Sequence, residues 1–209
     1  MAELYAIAIL VKPKKAYTEE HTMEKIKIDA GAAFLYPMPM VLAGSVVDGK
    51  ANFMAVGWVS RVNFKPPLVA IALGPHHTNK GIDENREFSI NIPDVSLIEE
   101  TDYCGLVSGK KTDKSGLFNV FFGELDKAPL IQECPVSISL SLFDAVKLPF
   151  NTLYIGEPKE VFTEEKYMTG NMLDIKKVNP FTLTMPDNQY WSIGENLGKA
   201  WSIGKSLKK

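Results

Sequence analysis

Val41-Leu42-Ala43-Gly44-Ser45-Val46-Val47-Asp48-Gly49-Lys50-Ala51-Asn52-Phe53-Met54-Ala55-Val56-Gly57-Trp58-Val59-Ser60 is the stretch that sets the fold class. Residues 41–47 are apolar and rich in β-branched side chains, which suit a pleated surface. Asp48-Gly49 supplies a pair that accepts the positive φ angles of a two-residue hairpin turn. The chain resumes as a second strand over residues 51–60. Two strands joined this tightly pair antiparallel.

Working outward, Pro66-Pro67 punctuates the chain before a fully apolar strand at 68–73, and Gly74-Pro75 ends it. Residues 88–92 form a short strand stopped by Pro93. Val136-Ser137-Ile138-Ser139-Leu140-Ser141-Leu142 alternates strictly, so its apolar residues face one side and its serines a wet or polar side. Residues 153–155 and 160–162 are expected as a further pair around Gly156 and Pro158. Phe181, Leu183 and Met185 alternate near the end. Helical signals are fewer. Thr78 can cap a helix running through Asn85. Residues 95–104 carry Leu97, Ile98 and Thr101 at helical spacing, and Thr163-Glu164-Glu165-Lys166 opens a short helix with acid at its start. Many short strands with a few helices predict a mainly β fold, a closed antiparallel barrel with short α insertions.

The chain has 209 residues, 45% hydrophobic and 23% charged, which suits one globular domain with a sizeable core. A net charge of -2, without a clustered basic face, argues against a nucleic-acid binder. The two cysteines, Cys104 and Cys134, are too few for a disulfide framework and lack CxxC spacing, which fits a reducing, cytoplasmic setting. They also exclude an all-cysteine zinc site, and no metal centre is expected. No apolar run reaches the roughly 20 residues of a membrane span. No export signal is read at the start, where Glu3 precedes the apolar run 4–11. Residues 1–22 read as an N-terminal extension or an extra strand, and 23–209 as the main domain.

No GxGxxG, GxxxxGK[ST], HExxH or GxSxG motif is present, so no standard catalytic machinery is visible. Gly57 interrupts a strand that it weakens. It serves either a flat ligand lying against backbone, between Met54, Ala55 and Trp58, or a bulge at a strand end. His76-His77-Thr78-Asn79-Lys80-Gly81 follows a strand and opens a helix. It reads as a phosphate cradle at a helix N-terminus or as an ordinary capped helix with exposed histidines. Cys104 is either a small buried hydrophobe or a thiol beside a redox group. Lys114 lies in a basic loop, 108–116, that could meet an anion or simply be solvated. The aromatic residues Phe181, Tyr190, Trp191 and Trp201 read as completing a core or a subunit contact.

Taken in order, these segments resemble the flavin reductase-like, FMN-binding split-barrel family, and within it the flavoredoxin-type branch. The carrying residues are Tyr36-Pro37-Met38-Pro39, Val41 to Ser45, Asp48 to Ala55 and Gly57 to Ser60. They continue with Lys65 to Ala70, His77-Thr78-Asn79, Phe88 to Asn91, Asp102 to Gly105, Ser108-Gly109 and Asp113-Lys114. The resemblance covers residues 26–200. It implies a Greek-key antiparallel split barrel, a homodimer, and FMN held noncovalently near the dimer interface. By that resemblance the strand holding Asn52, Met54, Ala55, Val56, Gly57, Trp58 and Ser60 runs along the isoalloxazine. His77, Thr78, Asn79 and Lys80 take the phosphate, and Cys104 and Lys114 join the site. No side chain is assigned a catalytic role, because hydride and electron transfer belong to the flavin. The implied activity moves electrons from NAD(P)H or a ferredoxin-like donor through FMN to a small or protein acceptor. A flavoprotein electron carrier without its own substrate, or a non-redox binder on the same barrel, stands beside it. No nucleic acid or membrane partner is expected.

Overall fold

The computed structural model describes residues 25–208. The expected extension, residues 1–22, lies outside them. From Phe34 onward the chain forms one compact unit. Residues 25–33 belong to a separate one, in which Ala30–Ala32 makes a single 3-10 turn capped by Asp29.

The opening hairpin forms as its sequence dictates. Strands β1 (Val41–Val47) and β2 (Lys50–Val56) pair antiparallel and turn at Asp48 and Gly49, whose φ angles are 50° and 78°. The second strand is shorter than expected. It stops before Gly57-Trp58, and β3 (Val59–Asn63) begins beyond. Four more strands follow: β4 (Leu68–Leu73), β5 (Glu87–Ile92), β6 (Val136–Lys147) and β7 (Thr152–Thr163). Together they make a seven-stranded sheet in the order β2-β1-β5-β6-β7-β4-β3, antiparallel throughout. The two edge strands, β2 and β3, are neighbours in the chain and are separated only by Gly57-Trp58. A two-residue link spans roughly 10 Å at most. The sheet must therefore curl until its edges nearly meet, leaving a seam at Gly57-Trp58 with no ladder across it.

Each strand sends alternate side chains to the two faces of this curled sheet. Val41, Ala43, Met54, Val56, Ile71, Leu73, Phe88, Ile90, Leu140, Leu142 and Tyr154 fill the barrel interior. Helix α1 (His77–Asn85) adds Ile82 to the same cluster and so plugs the barrel. Its approach is close: a Cβ on Gly81 would lie 2.5 Å from the Val46 carbonyl oxygen. The outer face carries a second core, where Leu42 and Phe53 meet Leu97, Cys104, Phe118, Ile131 and Cys134. Helix α2 (Ile98–Leu106), led by a 3-10 turn at Val95–Leu97, covers that face.

Four expectations need correction. The serine side of β6 is not wet. Ser137 and Ser139 are buried under the second layer, where Ser137 donates to the Ile131 carbonyl at 3.0 Å and Ser139 to Glu160 at 3.2 Å. Residues 153–155 and 160–162 are not a hairpin but one continuous strand, β7. Bulges near Gly156 and Pro158 absorb the residues that read as a turn. Thr78 does not cap α1; His76 holds that position without a side-chain cap bond, and Thr78 sits inside the first turn. The short helix at 163–166 reduces to a 3-10 turn at Glu165–Tyr167. Met38–Pro39, Phe181–Thr184 and Gln189–Ser192 form a small antiparallel sheet that takes in the late alternating segment.

Candidate functional site

Three hollows run end to end along β2. The first, about 360 Å³, lies at the seam among Val56, Gly57, Trp58, Phe150 and Met185. The second, about 230 Å³, is walled by Met54, Ala55, Thr78, Cys104 and Lys114. It shares Met54, Ala55 and His76 with the first. The third, about 380 Å³, is walled by Asn52, Lys50, Lys110 and Lys111, and shares His77, Gly109 and Lys114 with the second. The result is one groove, apolar at the seam and charged at its far end, where Asp48 and Asp113 stand among four lysines and Asp113 pairs with Lys50.

The middle of the groove is built from three elements. Strand β2 supplies Asn52, Met54 and Ala55, α1 supplies its N-terminus, and the chain after α2 supplies Gly105 to Lys114. A buried hydrogen bond joins the first two: Asn52 Nδ2 donates to Thr78 Oγ1 at 2.7 Å. The third fits closely against them. A Cβ on Gly109 would stand 2.1 Å from Asn52 Oδ1 and 3.0 Å from His77 Cδ2, so only glycine lets the loop approach.

Lys114 decides the electrostatics. It is 3% exposed, and among the described residues its ammonium donates to the carbonyls of Cys104 and Val107 alone, at 3.3 and 3.2 Å. Those neutral acceptors leave a buried positive charge uncompensated. Burial accordingly lowers its pKa from the ordinary lysine value. Burial also lowers His76, and the nearby Lys114 charge adds to it, so His76 is neutral at pH 7. The Cys104 thiol is pushed up to about 11, chiefly by burial, with Lys114 opposing and Glu100 adding. It is protonated and is no thiolate nucleophile at neutral pH. The helix N-terminus adds positive potential, and no side chain caps it. Such a groove can take a flat apolar body at one end and an anion at the other.

The residues expected from sequence divide cleanly. Asn52, Met54, Ala55, Val56, Gly57, Trp58, His77, Thr78, Cys104 and Lys114 all line the groove. Ser60, Asn79 and Lys80 do not. Ser60 is exposed on β3 and donates to the Arg61 carbonyl. Asn79 donates to the Gly74 carbonyl at 2.9 Å, holding the turn before α1. Lys80 is held in an ion pair with Asp48, which borders the third hollow, while Lys80 itself lines none of the three. Helical geometry explains the last case, since residues 78 and 80 fall on different faces. Sequence reading missed Gly109 as the close contact, Phe150, Leu183 and Met185, and held His76 only within the cradle stretch, with no role of its own. His76 was legible as the residue preceding the helix; Phe150 carries no local signal, because only the β6–β7 connection brings it to the seam.

The flavin reductase-like domain family matches residues 33–179, and the chain belongs to that family. It is similar to the crystal structure of flavoredoxin from Methanosarcina acetivorans, with 49% identity and a TM-score of 0.87, covering 88% of this chain and 100% of that one. The flavoredoxin of Desulfovibrio vulgaris (Miyazaki F) is 33% identical with a TM-score of 0.79, over 86% of this chain and 100% of that one. An uncharacterized protein of Aeropyrum pernix is 30% identical over 163 residues, which is 76% of this chain but 61% of that protein. This chain thus matches less than two thirds of that relative's length. The curled sheet with its seam is the flavin reductase-like split barrel.

Proposed function

We propose that the groove binds FMN, with the isoalloxazine along Met54 to Trp58 and the phosphate at His77, Thr78 and Lys114, and that the protein is an FMN-dependent oxidoreductase. One observation carries this reading: Lys114, 3% exposed and without a carboxylate partner among the described residues, faces the same hollow as a helix N-terminus that no side chain caps. A phosphate there would compensate the charge and take up backbone N–H groups together. The donor set fits FMN at its other end as well, where backbone and small or apolar side chains offer a flat surface.

Bound FMN would supply hydride and electron transfer. The chain's own part is to bind, orient and dry the site. Asn52 fixes the Thr78 hydroxyl by donating to it, leaving that hydroxyl's proton for an anion. Met54 and Ala55 exclude water from the middle of the groove. Neutral His76 and the protonated Cys104 thiol add no charge near the ring. Electrons would come from NAD(P)H or a ferredoxin-like protein and pass to a small or protein acceptor.

The likeness to two flavoredoxins favours a second reading, a flavoprotein electron carrier without its own small substrate. Purified protein should be yellow, and its spectrum should bleach with a reductant. Colourless protein that takes up no FMN would refute both readings. Stopped-flow mixing separates them: fast bleaching by NADH or NADPH alone marks the enzyme, and bleaching only through an iron–sulfur protein marks the carrier.

A further inference from the structure

The seam hollow is poor in groups that can carry a proton. Trp58, Phe150, Leu183 and Met185 are among its walls, and of its described lining residues His76 alone has a titratable side chain. The middle hollow adds His77, Cys104 and Lys114, and no described carboxylate lines either one. Of these groups His76 is the one that borders both hollows, where the apolar half of the groove meets the anion half. His77 borders the middle and third hollows instead.

The position of His76 is built. The Gly74 carbonyl accepts from the His76 backbone N–H at 2.8 Å and from Asn79 Nδ2 at 2.9 Å, which fixes the turn between β4 and α1. Over that turn the imidazole and Phe150 come together. A Cβ on Gly74 would stand 3.2 Å from Phe150 Cε1 and 3.5 Å from His76 Nε2. His76 is exposed as a residue, so it also meets solvent at the groove mouth. Burial against the groove and the Lys114 charge keep it neutral at pH 7 in the ligand-free protein.

We infer that His76 holds the second proton of the flavin reaction, taking one from solvent when the bound ring is reduced and returning it when the ring is reoxidised. The inference rests on the FMN reading. Reduction adds two electrons and one proton, as hydride from a nicotinamide or as electrons from a ferredoxin-like donor with a solvent proton. The reduced ring then carries one negative charge. The imidazole, with one solvent proton added, is the cation that balances it. A nearby opposite charge favours protonated imidazole and so works against burial and Lys114. The other titratable groups of the two hollows are placed differently. Lys114 and His77 stand at the anion end, and the Cys104 thiol is already protonated. With His76 charged, the apolar hollow holds a pair in place of a bare charge.

Midpoint potentials of the FMN-loaded protein, measured across about pH 5.5 to 9, test it. Two protons per two electrons give a slope of about 60 mV per pH unit, and one proton about 30 mV. The wild type should change from the first slope to the second at a break. His76→Gln keeps a hydrogen-bonding side chain and cannot hold a proton. Its break should lie at least about one pH unit lower, a roughly tenfold loss of proton affinity in the reduced protein. Nitrogen NMR of the wild type reads the same event without a variant. At about pH 7 the His76 imidazole should be neutral with the oxidised flavin and protonated with the reduced one. Equal breaks in the two proteins overturn the inference and leave the FMN site standing. So does a wild type that takes up one proton throughout, or an imidazole that stays neutral on reduction. Protein that retains no flavin overturns the FMN reading, and the inference with it.

Discussion

A lysine buried among carbonyls is costly when empty and useful when an anion arrives. Lys114→Met removes the uncompensated charge and keeps much of the side chain's volume. The ligand-free variant should melt no lower than the wild type, and FMN affinity should fall about tenfold to a hundredfold, on the order of 1.4 to 2.8 kcal/mol. Fluorescence titration of FMN checks the second point and calorimetry the first. The pH dependence follows from the sign of the shift. Burial depresses the Lys114 pKa, so its charge is lost on raising the pH before an ordinary lysine near 10.5 would lose it. The affinity of the wild type should therefore decline on the alkaline side starting below pH 10.5, and converge there on that of Lys114→Met. A wild-type curve that stays flat and parallel to the variant would remove Lys114 from the phosphate site. Lys80 does not line the groove and is already held in an exposed pair with Asp48 at the edge of the third hollow. Lys80→Ala should change FMN affinity less than twofold, whereas Thr78→Val should lower it clearly in the same titration.

At the scale of elements, the site depends on how closely three pieces approach. Gly109→Ala would drive a methyl into Asn52 Oδ1, so the loop must retreat or Asn52 must release Thr78. Its expected result is weakened FMN binding, with stability reduced by about 1–3 kcal/mol in urea unfolding. Gly57→Ala is the contrasting case. A Cβ there would touch Leu183 and Met40 at an ordinary 3.6 Å, so the fold should tolerate it. If the isoalloxazine lies on Gly57, affinity drops without loss of stability. The β1–β2 hairpin was legible because Asp48-Gly49 and the β-branched run act locally. The break at Gly57-Trp58 was legible as an anomaly, but its meaning was not, since the seam exists only once the sheet has curled. Bulged β7 was misread because Gly156 and Pro158 are turn residues by local rule. Here the partners β6 and β4 hold them in line. The serines of β6 look solvated in one dimension and are covered by a layer that arrives from residues 115–134.

At the scale of the whole molecule, the barrel interior and the outer core of α2 are independent clusters that meet across β1 and β2. The groove runs where those strands end at the seam, so both layers wall it.

In the proposed complex, Asn52 to Trp58 and the His77-Thr78 helix start grip the two ends of one flavin mononucleotide. A crystal structure of the protein soaked with FMN tests it most directly. The phosphate should lie within hydrogen-bonding distance of Thr78 Oγ1 and Lys114 Nζ, with the ring system against Met54 to Trp58. A phosphate elsewhere, or a ring outside the seam, would contradict it.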